Sequence, residues 1–143
     1  MLNKYFKILI PIAILAMIAS ISSCSAADLS GFDGLHKLES EMYNTISYAN
    51  HDCWYFADYA ANRLSENGYS CAVVQGTSDV GVSNHRALFV YMNEDNGLHK
   101  FESSKAVRDG VGLDCDWWEA NAYLSIISEY NGFNYSPLYG DGY

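Results

Sequence analysis

The apolar positions of the chain change their spacing several times, and each change marks an element. Ile8 to Ile21 is an apolar run broken by Pro11 and Ser20, and Asp28 to Gly34 is polar with two glycines, reading as a short leader of little regular structure. Leu35, Leu38, Met42, Ile46 and Ala49 then recur at three- and four-residue intervals, with Lys37, Glu39 and Glu41 facing away. That spacing predicts an amphipathic helix packed as core. His36 lies on its polar side with no evident partner.

Asn50-His51-Asp52 breaks this pattern and opens a second helix running to Gly68. Asp52 is a favoured N-cap and Gly68 a favoured residue just past a helix end. Trp54, Ala57, Ala61 and Leu64 share one face, with Phe56, Ala60 and Arg63 beside it, which predicts a central helix buried on several sides. Tyr69 to Gly76 alternates Cys71, Val73 and Gln75 against Ala72 and Val74, a strand pattern. The glycine-bearing loop Gly76 to Asn84 is long enough to border a site, and it delivers His85 at the start of another alternating run. Asn93-Glu94-Asp95-Asn96-Gly97 signals a hairpin, with Leu98 to Glu102 as the antiparallel return. Beyond Gly110 and Gly112, the spacing of Trp117, Ala120, Leu124, Ile127 and Tyr130 predicts a C-terminal helix over Asp116 to Tyr130. Asn131 to Tyr143, rich in Tyr, Gly and Asn, reads as an aromatic tail.

These elements amount to one domain of α+β class spanning 27–143. Residues 1–26 read as a secretory signal: Lys4 and Lys7 precede the apolar run, and Ser22-Ser23-Cys24-Ser25-Ala26-Ala27 supplies small residues for cleavage. The run is too short and wrongly flanked for a stable span. Ile21-Ser22-Ser23-Cys24 also resembles the lipobox of bacterial lipoproteins, in which Cys24 is lipidated and becomes the mature N-terminus. The expected location is therefore secreted or anchored at the cell surface. Membrane contact is expected only through a lipid on Cys24 or an uncleaved leader. The formal net charge of −9 leaves no cationic patch to neutralise phosphates, which argues against nucleic acid or anionic lipid as partners.

With Cys24 lost or lipidated, Cys53, Cys71 and Cys115 remain, and three thiols cannot all pair within one chain. In an oxidising compartment the economical arrangement is one disulfide and one free thiol. Cys71 with Cys115 is the expected pair, leaving Cys53, although connectivity is not fixed by sequence. Cys53 would occupy the first position of the second helix. There the positive end of the helix dipole and nearby free N–H groups favour thiolate. The opposing reading is a buried structural cysteine.

A nucleophilic thiol needs a base and a group that orients the base. His85 at a strand start and Glu102 at the end of the neighbouring strand supply both, provided that the hairpin register brings Glu102 toward His85. Asp109 and Asp114 are substitute carboxylates. Asn50, His51, Trp54 and Asn84 flank the nucleophile and the base and are candidates to line a substrate site. A zinc site from Cys53, Cys71, His85 and Cys115 lacks the close ligand pair such sites carry. No metal or cofactor is expected.

The stretch from Asn50 to Lys105 resembles the transglutaminase-like cysteine peptidases of papain-like fold. Their pattern is Cys, an aromatic, then Phe-Ala, a helix closing on glycine, a strand, a His opening the next strand and an acid closing the strand after it. Cys53-Trp54-Tyr55-Phe56-Ala57, Gly68-Tyr69, His85 and Phe101-Glu102-Ser103-Ser104 follow it in order. Glu102 stands where the family usually has Asp, and Arg86 where a small residue usually follows the His. The chain is also similar, more distantly, to cell-wall cysteine peptidases that cut stem peptides. The resemblance implies a nucleophile helix packed on a small antiparallel sheet, flanked by N- and C-terminal helices. It also implies hydrolysis of an amide or isopeptide bond in a peptide, protein or cell-wall substrate through a thioester, with Cys53, His85 and Glu102 as triad. A catalytically inactive binding module on the same scaffold is the alternative.

Overall fold

The computed structural model describes residues 28–77, 81–115 and 125–134. The leader with Cys24, the positions Trp117, Ala120 and Leu124, and the tail beyond 134 lie outside the described residues. Helix α1 spans Gly31–Thr45, a 3-10 turn spans Tyr48–Asn50, and α2 spans Cys53–Glu66. Strands β1 (Ser70–Gly76), β2 (His85–Met92) and β3 (Gly97–Phe101) follow, then the short helix α3 (Ser103–Asp109) and strand β4 (Ser125–Tyr130). The four strands form one antiparallel sheet in the order β3-β2-β1-β4. The architecture is α+β. Among the described residues no helix is long and apolar enough to cross a membrane.

The core lies between the helices and one face of the sheet. Leu35, Leu38 and Met42 of α1, Phe56, Ala57, Ala60, Ala61 and Leu64 of α2, and Ala106 and Val107 of α3 meet Cys71, Val73, Leu88, Val90, Met92 and Phe101 of the strands. The opposite face carries a smaller apolar cluster, Ala72, Val74, Ala87, Phe89 and Phe133. β1 is therefore covered on both sides, which is why its sequence is almost continuously apolar.

α2 begins and ends where its sequence says it should. The Asp52 carboxylate accepts from the Trp54 and Tyr55 N–H groups at 3.1 and 3.0 Å, fixing Cys53 as the first helical residue. Trp54 departs from expectation: it is 46% exposed and belongs to the surface, because its indole N–H reaches the Asn84 carbonyl at 3.2 Å outside the core.

α1 starts at Gly31, inside the stretch expected to be irregular. Glu94 of the hairpin loop accepts the Phe32 N–H at 3.1 Å, Asn67 accepts the Leu29 N–H at 3.0 Å, and Leu29 is buried. The hairpin and the end of α2 thus nucleate the first turn. Glu39 and Glu41 do not simply face water. Glu41 takes two guanidinium bonds from Arg63, each 2.8 Å, and the Tyr59 hydroxyl at 2.6 Å, while Glu39 is buried. His36 has a partner, with Nδ1 2.8 Å from Glu39 Oε2.

Two further expectations are overturned. The residues Ser125–Tyr130 form strand β4, paired to β1 with a bulge between Val73 and Val74, and not the end of a helix. The Cys71–Cys115 disulfide is not formed, and both thiols are free. Cys71 is buried in the core from the middle strand, whereas Cys115 follows Leu113, which bridges to Phe101 beyond β3. Crossing β2 and β3 to reach that segment takes three strand spacings, about 14 Å. A disulfide tolerates a Cα separation of at most about 7 Å.

Candidate active site

The first turn of α2 meets the start of β2 and the end of β3. β2 and β3 pair from Met92↔Gly97 to Leu88↔Phe101, so Glu102 follows one step past the last pair, on the side of His85. Its carboxylate Oε2 lies 2.6 Å from His85 Nε2. The other oxygen, Oε1, accepts the Ser104 N–H at 2.9 Å and so caps α3. Glu102 is 1% exposed, and its two oxygens are spoken for.

Cys53 is half-buried and its thiol hydrogen-bonds His85. Because Nε2 faces Glu102, Nδ1 is the ring nitrogen left for the sulfur. Burial alone would push the thiol pKa up. The His85 hydrogen bond, the Arg86 backbone N–H and the charge of His85 outweigh burial and the nearby Asp52 carboxylate, and the net shift is downward. Burial likewise works against a charged His85, but its bonds to Cys53 and Glu102 and the charges of both raise it to about 9. The geometry favours a thiolate–imidazolium pair backed by a buried carboxylate.

Among the described residues, the Cys53 backbone N–H has no acceptor: Asp52 takes the next two N–H groups through its carboxylate and the Phe56 N–H through its carbonyl at 3.1 Å. A free N–H beside a nucleophile, at a helix start, is a ready donor to an oxyanion.

The structure also places the flanking residues. Trp54 and Asn84 come together beside the nucleophile, and Gln75 Nε2 donates to Asn84 Oδ1 at 3.3 Å. Asn84 takes a left-handed φ of 59°, which asparagine tolerates better than most residues. His51 is stacked on Tyr55 at 3.9 Å, and Asn50 is exposed in the preceding turn. Asp109 pairs with Arg108 and Asp114 with His99, so neither substitutes for Glu102. Cys71 and Cys115 do not join Cys53 and His85, and among the described residues no group of three His, Cys, Asp or Glu side chains is placed to hold a metal. Burial pushes the Cys71 thiol up to about 12 and leaves it inert. A cavity of about 490 Å³ lined by Ser30, Tyr69, Tyr91 and Glu94 lies at the other end of β1, away from this chemistry.

Two supporting residues were not singled out from sequence. Glu39 Oε1 accepts the Gly112 and Leu113 N–H groups at 2.7 and 2.6 Å, and the Gly112 carbonyl in turn accepts the Glu102 N–H at 2.8 Å. A Cβ on Gly112 would stand 2.6 Å from the Glu102 carbonyl oxygen, so only glycine lets this strap lie against Glu102. Gly112 was visible as a glycine; Glu39 carried no signal beyond its place in a helical pattern. Comparison with models of protein families, with curated proteins and with solved structures returned no match.

Proposed function

We propose that the chain is a cysteine-dependent amide or isopeptide hydrolase with a transglutaminase-like, papain-like core, acting through a Cys53–His85–Glu102 triad. The observation that carries this reading is the buried Glu102 carboxylate 2.6 Å from the imidazole whose other nitrogen is left for the thiol. A structural cysteine has no need of a charged imidazole, and a structural histidine has no need of a thiol. Substrates of this class are peptide, protein or cell-wall amides. The leader pattern extends the proposal to a secreted or surface-anchored location.

In the first half-reaction the Cys53 thiolate attacks the carbonyl carbon and the negative charge moves to oxygen, where the Cys53 N–H is available to meet it. As the tetrahedral species collapses, the C–N bond breaks and the His85 imidazolium gives its proton to the leaving nitrogen. A thioester remains on Cys53. Neutral His85 then takes a proton from water as its oxygen attacks the thioester, the thiolate departs, and the imidazolium is restored. Glu102 holds the ring in one orientation and stabilises its charged form throughout.

The test uses an activated ester, p-nitrophenyl acetate, so that acyl transfer is seen without knowledge of the natural substrate. A stoichiometric burst of nitrophenolate is expected, with an acetyl group on Cys53 by mass spectrometry. Cys53→Ser should abolish both, and His85→Ala should slow them by about 100-fold or more. Absence of a burst from folded protein, or acetylation elsewhere, refutes the reading.

A further inference from the structure

The chain has three arginines, and two are paired with carboxylates. Arg63 is held by Glu41 at 2.8 Å and Arg108 by Asp109 at 2.6 Å. Arg86 is not. Its Nε donates to Gln75 Oε1 at 3.0 Å and its guanidinium lies 3.9 Å from the centre of the Trp54 ring. Among the described residues it has no carboxylate partner and its terminal nitrogens have no acceptor. With 17 acidic against 8 basic residues, an arginine left without a carboxylate stands out.

Its position makes the omission informative. Arg86 follows His85 and its backbone N–H donates to the Cys53 thiol, while Trp54, on which it rests, follows Cys53. The pose is fixed from several sides, since Asn84 accepts from Trp54 through its carbonyl at 3.2 Å and from Gln75 through its side chain at 3.3 Å. A guanidinium held over an indole and tied at Nε leaves its terminal nitrogens without an acceptor among the described residues. Those nitrogens form a planar fork matching the two oxygens of a carboxylate. Strongly negative chains repel anionic ligands at long range, so a fixed cation beside the nucleophile gives such a ligand one favourable place to sit.

We propose that Arg86, clamped on Trp54 and Gln75, binds a carboxylate carried by the substrate next to the amide that Cys53 attacks, making the site selective for anionic acyl donors. This deepens the proposed function and rests on Cys53 being the nucleophile. The carboxylate belongs either to an acidic side chain or to a chain end.

The probes are two alkylating reagents of similar size, iodoacetate and iodoacetamide, which differ in carrying a carboxylate or a neutral amide. The ratio of their rates at Cys53 should be high in the wild type and fall about tenfold in Arg86→Gln, with Arg86→Lys between, since lysine keeps the charge without the fork. A ratio that is the same in all three proteins overturns the inference while leaving the nucleophile intact. Slow labelling of the wild type by both reagents at neutral pH refutes the nucleophile, and the inference falls with it. Peptides then separate the sources: one with glutamate and both ends blocked, the other with a free C-terminal carboxylate and no acidic side chain, each used to protect Cys53 from iodoacetamide. Whichever protects the wild type more than Arg86→Gln identifies the carboxylate. Equal protection in the two proteins by both peptides overturns the proposal.

Discussion

Replacing Glu102 by Gln tests the triad at its innermost member. The amide keeps the size of the carboxylate, and its oxygen can still accept the Ser104 N–H that starts α3. What is removed is the negative charge 2.6 Å from His85 Nε2. His85 is held at about 9, largely by its bonds to Cys53 and Glu102 acting against burial. Without the carboxylate its pKa should fall below 9, with the Cys53 bond still opposing burial, and each pKa unit lost corresponds to about 1.4 kcal/mol. At pH 7.5 the imidazolium fraction would drop from nearly complete to about one half if the pKa falls by about 1.5 units. Acylation should therefore slow about twofold from charge alone, and further because the ring can take the wrong tautomer. The assay is an NMR titration of the His85 ring protons, alongside the p-nitrophenyl acetate burst. A stability signature accompanies it. Because the folded pKa of His85 is raised, its contribution is full below about pH 6.5 and is lost as pH rises through about 9. Glu102→Gln should flatten that decline. A folded Glu102→Gln protein whose His85 still titrates near 9 would refute the reasoning.

Other residues give further tests. Glu39→Ala leaves the Gly112 and Leu113 N–H groups without their acceptor and should cost about 2–4 kcal/mol, lowering the melting temperature by about 10 °C or more; an unchanged melting curve contradicts the strap. Gly112→Ala drives a Cβ to within 2.6 Å of the Glu102 carbonyl and should cost about 1–3 kcal/mol in urea unfolding while also weakening the burst. His99 is raised because Asp114 and Asp95, at 2.8 and 2.9 Å, outweigh its burial, so its stabilisation is full below about pH 6.5 and fades as pH rises through the folded value. His99→Gln should remove that part of the alkaline loss in urea titrations, and an identical pH profile would dismiss it. Native-state alkylation at about pH 8 should modify Cys53 and spare Cys71, whose thiol burial pushes up to about 12; equal labelling of the two contradicts the described core.

The elements that were legible in sequence are those whose boundaries are written by local chemistry. Asp52 and Gly68 bracket α2, and the hairpin loop with Asn96 at a left-handed φ of 57° sets the pairing of β2 with β3. That register carries Glu102 to His85, so the order of the candidate triad could be read from the chain. The misses were made by distant partners. α1 gains its first turn from Glu94 and Asn67, far along the chain. α3 is only Ser103–Asp109, too short for an apolar period, and is set by the Glu102 cap and the left-handed Gly110. The Leu124, Ile127 and Tyr130 spacing reads as helical, yet pairing with β1 makes Ser125–Tyr130 a strand. Trp54 looked like core because its period fits, and it is on the surface because Asn84 and Arg86 engage it there. The burial of Glu39 was invisible because its compensating N–H groups lie more than seventy residues away.

The central claim is that His85 makes Cys53 a nucleophile. It is tested most directly by titrating the thiolate absorbance of Cys53, with Cys53→Ser as the blank, in the wild type and in His85→Ala. The wild-type pKa should lie below the ordinary thiol value of about 8.5. His85→Ala should raise it, because burial and the Asp52 charge would then be opposed only by the Arg86 N–H. A wild-type Cys53 that titrates at or above 8.5, and does not move when His85 is removed, contradicts the account.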